Sequence, residues 1–150
     1  MKKFKFTLET VHNVREMRRE REEMVLSQLN AEAEKTAGRI RELENRQTAA
    51  IEAYARKMQA GTMINIGEIE LERNHIAALD RLIRETRQTL EQQQLTCRQQ
   101  TQKVAAAMQL VKVTDRLRDV QRARHDRDAA REEQTAIDDL VSAKYARGIS

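Results

Sequence analysis

The chain has 150 residues, of which 35% are charged and 3% aromatic, contains no proline, and carries a net charge of +4. So few aromatic side chains leave little to fill the core of an ordinary globular domain, and so few turn residues disfavour a sandwich, a barrel or an α/β fold. Disordered chains of similar charge are usually rich in proline, glycine and serine. The composition therefore predicts long helices that bury a narrow apolar seam.

The first helix is predicted over about residues 8–58. Thr7 is a suitable N-cap residue, and Phe6 and Val11 have the spacing of a hydrophobic staple around it. Apolar and small residues step by three and four along this helix, as they do on one side of a coiled coil. This seam consists of Leu26, Leu29, Ala33, Thr36, Ile40, Leu43, Gln47, Ala50 and Tyr54.

A hinge is predicted at residues 59–67, because Gly61 and Gly67 bracket a segment without charged residues. The second helix then extends over about residues 68–146. Asn65 is expected to cap it, with Ile64 and Ile69 at staple spacing. Its seam consists of Ile76, Leu79, Ile83, Thr86, Leu90, Gln93, Cys97, Gln100, Val104, Ala107 and Val111.

The sustained seven-residue repeat predicts an all-α fold. We expect one domain, residues 1–150, in which the two helices form an antiparallel coiled-coil hairpin and the second helix is longer. Folding back near residue 64 brings Ile40 to the Leu90 region. Towards the termini the first seam is expected to shift phase, and residues 121–134, which are almost wholly polar, to extend without a partner. The apolar residues that would meet after the phase shift are Leu8, Val11 and Val14 on the first helix and Val113, Leu117 and Val120 on the second.

Positive charge is concentrated in two segments. Residues 1–21 carry seven basic and three acidic residues, and residues 112–131 carry seven basic and four acidic residues. The hairpin brings these segments together, so the end with both termini carries +7 and the remainder of the chain −3. Two interpretations remain open here: a tip that binds a partner, or a solvated helix surface rich in arginine.

The sequence predicts no catalytic residues, no metal site and no cofactor. Glu9 with His12 and Glu72 with His75 have a spacing found in metal-binding bundles, but the hairpin places the two pairs at opposite ends. His125 has no third helix to complete a site and is expected to be solvated. Basic residues interleaved with acidic ones, with few aromatics among them, argue against nucleic acid as a partner.

The sequence also predicts a cytosolic protein. The basic residues after Met1 are not followed by an apolar run, as they would be in a signal peptide, and no stretch is apolar enough to span a bilayer. A single cysteine, Cys97, excludes an intramolecular disulfide and is expected to be a small seam residue.

One N-terminal motif stands out: Phe4-x-Phe6-x-Leu8-Glu9-Thr10-Val11, followed by Arg15-Glu16 and a charged helix. Together with the chain length, the central hinge and the long second helix, this motif resembles the FliJ family of flagellar type III export proteins over the whole chain. Members of that family form an antiparallel two-helix coiled coil that is similar to the central stalk of rotary ATPases. The stalk proteins of injectisomes share this architecture and remain an alternative.

The resemblance implies a non-enzymatic stalk at the cytoplasmic face of the inner membrane, held there through its partners only. In the family, the end with both termini inserts into the hexameric export ATPase and promotes assembly of its ring. The hairpin also contacts the cytoplasmic domain of the export-gate membrane protein and handles export chaperones. Arginine forks suit the carboxylates and carbonyls of such a ring. The candidate ATPase contacts are Arg15, Arg18, Arg19, Arg116, Arg118, Arg122 and Arg124.

The family's gate-contact positions match His75, Leu79, Leu82 and Thr86 in this sequence. Two of them depart from the family pattern, because His75 replaces a large aromatic residue and Thr86 replaces a histidine. Leu79 and Thr86 also belong to the predicted seam, whereas Leu82 lies off it and is expected to be the exposed contact. A structural or scaffolding coiled coil without an ATPase partner remains the alternative function.

Overall fold

Two long helices make up the fold. The computed structural model describes residues 2–60 and 65–148. Helix α1 extends over Glu9–Gln59 and the longer helix α2 over Ile66–Gly148, within one or two residues of the predicted bounds. The helices pack against each other in antiparallel orientation, which confirms the predicted hairpin. Residues 61–64 of the predicted hinge, and with them Ile64 of the proposed staple, lie outside the described residues.

Asn65 caps α2 as the sequence predicts. Its side-chain Oδ1 accepts a hydrogen bond from the backbone N–H of Gly67 at 3.1 Å. Its backbone carbonyl accepts a further hydrogen bond from the N–H of Glu68 at 3.1 Å. Two of the orphan donors of the first turn are thereby satisfied, which fixes where the helix begins.

The start of α1 differs from the prediction. The helix begins at Glu9, and its first turn is closed by a hydrogen bond from the His12 N–H to the Leu8 carbonyl at 2.8 Å. The Thr7 hydroxyl does not cap this turn but donates across the hairpin to Gln121 Oε1 at 3.4 Å. The Thr7 side chain therefore contacts α2 and does not cap the N-terminus of α1.

The chain divides into two compact units. The terminal unit comprises Met1–Arg21 with Ala105–Ser150, and the middle unit comprises Glu22–Val104. Each unit contains a stretch of α1 packed antiparallel to a stretch of α2.

The middle unit follows the predicted seam throughout. Leu43, Leu79 and Ile83 form a buried cluster, with Ala50 and Leu82 packed partly against it. Every predicted seam residue of this unit is buried or half-buried. Burial of this stripe is what holds the two helices together, because an isolated helix gains little stability from propensity alone.

Polar contacts across the middle unit follow the predicted register at Lys57 and Arg87, whereas Gln100, which that register places opposite Leu29, bonds to Glu22 instead. They join Lys57 with Glu72, Arg87 Nη2 with Glu44 Oε1 at 2.6 Å, and Gln100 Nε2 with the Glu22 carbonyl at 3.0 Å. The hydrogen bond to Glu72 and the charge of that carboxylate raise the pKa of Lys57. The two ion pairs lie near the surface and contribute little to stability, whereas the Gln100 side chain is buried, and all three contacts join antiparallel stretches of the two helices.

The terminal unit contradicts the predicted phase shift. Its seam continues by steps of three and four, so that His12 and Arg15 of α1 and Val111 and Thr114 of α2 occupy seam positions. The aliphatic residues expected to meet there are exposed instead: Val11 by 42%, Val14 by 60%, Val113 by 49%, Leu117 by 40% and Val120 by 59%. Of the residues named in that prediction, Leu8 alone lies in the seam, where it is half-buried.

Candidate partner-binding surface

Residues of the N-terminal motif contact α2. Phe6 is buried, and the Arg118 guanidinium lies over its ring at 5.3 Å from the centroid. The same guanidinium donates to both carboxylate oxygens of Glu9, at 2.9 and 2.8 Å. A cation–π contact and an ion pair in which Nη2 donates to both carboxylate oxygens thus converge on one arginine, which ties the beginning of α1 to α2.

His125 is half-buried and not solvated as expected. Its Nε2 lies 2.9 Å from the Lys2 carbonyl oxygen, and the Phe4 ring meets its ring edge-on with the centroids 5.6 Å apart. The N-terminal segment therefore covers α2 around His125, and the expectation that α2 lacks a partner from residue 121 onward is wrong. Residues 131–148, by contrast, are exposed.

A buried polar pair lies in the seam of the terminal unit. His12 is 4% exposed and Thr114 is 1% exposed, and His12 Nδ1 lies 2.7 Å from Thr114 Oγ1. The Thr114 hydroxyl also lies 2.9 Å from the Val111 carbonyl oxygen. On its other edge, His12 Nε2 lies 3.7 Å from Glu16 Oε1 and 3.5 Å from Asp115 Oδ1. The pair satisfies polar groups that the narrow seam would otherwise leave unpaired.

The glutamates of both Glu-x-x-His pairs bind a basic residue of the other helix. Glu9 binds Arg118 and Glu72 binds Lys57, while His75 is exposed. Among the residues that the structure describes, no group of three histidine, cysteine, aspartate or glutamate side chains could hold a metal ion. No described helix is long and apolar enough to cross a membrane.

The seven candidate ATPase-contact arginines divide into two groups. Three are half-buried and bound within the unit: Arg15 donates to the Leu110 carbonyl at 3.0 Å, Arg19 to Glu16 at 3.1 Å, and Arg118 to Glu9. The other four are exposed and have no hydrogen-bond or ion-pair partner in residues 2–60 and 65–148: Arg18, Arg116, Arg122 and Arg124. These four can reach a partner without breaking contacts that hold the hairpin.

The candidate gate-contact residues lie in the middle unit and differ in accessibility. Leu79 is buried, and Leu82 is half-buried against the same cluster, so it is less accessible than its position off the seam predicts. Thr86 is half-buried and donates to the Leu82 carbonyl at 2.6 Å. His75 is the exposed member of the group.

Two antiparallel helices joined by a heptad seam define a coiled-coil hairpin protein. The family model described as flagellar FliJ protein matches residues 4–150 of the chain. The chain therefore belongs to the FliJ family and has a role in flagellar export, in association with the export apparatus. No curated protein and no solved structure gives a significant match.

Proposed function

We propose that the protein is a non-enzymatic, stalk-like component of the flagellar export apparatus. Its terminal unit inserts into the ring of the hexameric export ATPase and promotes assembly of that ring. The hairpin links the ring to the cytoplasmic domain of the export gate and to export chaperones, which hold it at the cytoplasmic face of the inner membrane. Membership of the FliJ family supports this role.

One observation supports the proposed ATPase contact. Four arginines of the terminal unit, Arg18, Arg116, Arg122 and Arg124, are exposed and unpaired within the described part of the chain. The guanidinium group presents its donors in a planar fork that fits carboxylates, and it remains charged at any physiological pH. Enclosure in a ring lowers the effective dielectric around these groups and strengthens each ion pair relative to open solvent.

Changing these four arginines together to serine is expected to abolish stimulation of the cognate export ATPase and assembly of its hexamer. The melting curve of the variant should match that of the wild type, because exposed charges each contribute only about 0–1 kcal/mol to stability. ATP hydrolysis measured with wild-type or variant protein added is the test.

A matched control removes the same charge from the middle unit. Its exposed arginines Arg39, Arg73, Arg81 and Arg98 are changed to serine, and this variant should stimulate the ATPase as the wild type does. Equal loss in both variants would mean that only net charge matters. Equal stimulation by both variants would show that the four arginines of the terminal unit do not contact the ATPase and belong to an ordinary solvated surface. If the wild type itself did not stimulate the ATPase, the alternative of a scaffolding coiled coil would be favoured.

The gate contact is proposed at His75, Leu79, Leu82 and Thr86, with His75 and Leu82 as the members that a partner reaches first. Changing these two to alanine should weaken binding to the isolated cytoplasmic domain of the gate protein in a titration. Leu71→Ala provides the control, because Leu71 is 72% exposed on the same helix. Unchanged affinity of the double variant would remove this patch from the proposal.

A further inference from the structure

The terminal unit has two chemically different sides. A residue directly before a seam position and a residue directly after it lie on opposite sides of the seam, since each residue turns the helix by about 100°. Val11 and Leu110 precede seam residues on their helices, and both line one groove of about 300 Å³. Glu16 and Asp115 follow seam residues, and both face His12 Nε2. On both helices, the residues directly before a seam position therefore lie on one side of the terminal unit. The residues directly after a seam position lie on the other side.

The side formed by the preceding residues is apolar and basic, and we call it the basic–apolar face. Its six large aliphatic residues are all exposed, by between 39% and 60%: Val11, Val14, Leu110, Val113, Leu117 and Val120. Its charged residues are Arg18, Arg21, Arg124 and Arg127. Within the described residues of the terminal unit up to Arg127, no carboxylate lies at these preceding positions.

The other side holds the carboxylates. Those that directly follow a seam residue are Glu9, Glu16, Glu20, Asp115, Asp119 and Asp126. Two basic residues, Lys112 and Arg122, also follow seam residues, so this side is mixed with an excess of carboxylates, whereas the basic–apolar face has basic residues as its charged groups. A solvated surface of mixed charge would distribute both signs around the helices, as interspersed charges do on ordinary exposed helices. This segregation, together with a contiguous exposed aliphatic stripe, is typical of a binding surface.

We propose that the basic–apolar face binds an amphipathic α-helix of another protein whose apolar stripe is flanked by carboxylates. The groove between two antiparallel helices accepts a third helix, as helix-in-groove recognition commonly does. The contact of Arg15 with Leu110 places Arg21 opposite about residue 105. The contact of Glu9, the first residue of α1, with Arg118 ends the groove between the two helices near Arg118. Beyond that level the face continues along α2 alone to Arg127, so its full length is about 33 Å, and an occupant of about six turns would cover it. Carboxylates on its flanks would pair with Arg18 and Arg21 along α1 and with Arg124 and Arg127 along α2.

Charge argues against pairing of this face with the same face of a second copy. The same face of a second copy carries the same four arginines and would repel the first. The carboxylate side of a second copy carries Met108 as its large exposed hydrophobic residue, at 41%, and so lacks a matching stripe. The exposed C-terminal stretch of α2, in which Asp138 and Asp139 lie beside Ile137, Leu140 and Val141, has an apolar stripe with carboxylates, so binding of a second copy is one outcome of the sedimentation test below. The inference goes beyond the ATPase contact, because Arg21, Arg127 and the aliphatic residues are not candidate contacts of the ring.

The test uses the full chain and a labelled designed peptide, a 22-residue helix with leucines at heptad spacing and glutamates beside them. We expect it to bind in fluorescence anisotropy, with an affinity that falls severalfold as salt is raised, because exposed ion pairs are screened. One control peptide replaces the glutamates with lysines and another replaces the leucines with serines. Neither should bind, and equal binding of either would overturn the proposal.

Substitutions in the chain test where the peptide binds. Val113→Glu and the double change Arg21→Glu with Arg127→Glu should each weaken peptide binding about tenfold or more. Met108→Glu and Lys112→Glu are the matched controls, since both residues are exposed on the carboxylate side of the same unit, and both variants should bind the peptide like the wild type. Equal weakening by the controls would overturn the assignment of the face.

Two further measurements distinguish binding of a partner helix from binding of a second copy and from the ATPase contact. Sedimentation that showed a dimer of the wild type, dissociated by Val113→Glu, would assign the face to a second copy and overturn the partner helix. Stimulation of the export ATPase by Val113→Glu should equal that of the wild type. The two contacts share Arg18 and Arg124. Loss of peptide binding with stimulation intact supports a peptide site that is otherwise distinct from the ring contact, whereas loss of both in this variant would contradict that distinction.

Discussion

Replacing Leu43 with aspartate is expected to unfold the middle unit. Leu43 is 5% exposed and packs with Leu79 and Ile83 in the buried cluster of that unit. Loss of a buried leucine side chain alone costs about 2–5 kcal/mol. A carboxylate in its place must also be desolvated without a partner, and a seam between only two helices has no other residues to compensate. Far-UV circular dichroism with thermal melting should show reduced helicity and a lower or absent transition.

The control for this substitution is Ile51→Asp. Ile51 is 48% exposed on the same helix and in the same unit, so its replacement places the charge in water. We expect helicity and melting of this variant to remain close to those of the wild type, because surface substitutions rarely change stability by more than about 0.5 kcal/mol. Identical behaviour of the two variants would show that Leu43 is not in the seam.

Thr114→Val is expected to destabilise the terminal unit although it conserves the shape of the side chain. The hydroxyl of Thr114 is the partner of His12 Nδ1, and both side chains are buried. Its removal leaves a buried ring nitrogen without a hydrogen bond, which costs about 1–3 kcal/mol. Chemical denaturation followed by circular dichroism measures this loss, and unchanged stability would contradict the pairing.

Replacing both partners reverses the expected result. With His12→Leu added to Thr114→Val, the seam position becomes apolar on both helices and no polar group is left unpaired. Such a double replacement is usually neutral or stabilising. We therefore expect the double variant to be at least as stable as the wild type. A double variant less stable than Thr114→Val alone would show that the ring of His12 contributes more through Glu16 and Asp115 than through Thr114.

The sequence by itself determined the hairpin and the seam of the middle unit. Its apolar residues follow a single heptad phase there, so hydrophobic burial has one solution, and Ile40, Leu43, Leu79 and Ile83 are buried as predicted. The cap at Asn65 was also predictable, because it depends on a side chain and backbone groups only two to four residues away.

The start of α1 was not predictable in the same way. Thr7 has the local properties of a cap, but its hydroxyl is bound by Gln121, which is distant in sequence. His125 likewise has nothing nearby in sequence to indicate that Lys2 and Phe4 cover it. Both outcomes depend on the packing of the N-terminal segment against α2, which no local pattern records.

Only the tertiary structure decided which stripe of the terminal unit is buried. Val113, Leu117 and Val120 keep the same three–four spacing as the seam but are offset from it by one residue. Hydrophobicity alone favours that stripe. The structure buries the polar stripe, because His12 with Thr114 and Arg118 with Glu9 and Phe6 satisfy their polar groups across the helices. Pairing between residues about a hundred positions apart thus left the aliphatic residues on the surface, where the exposed arginines flank them.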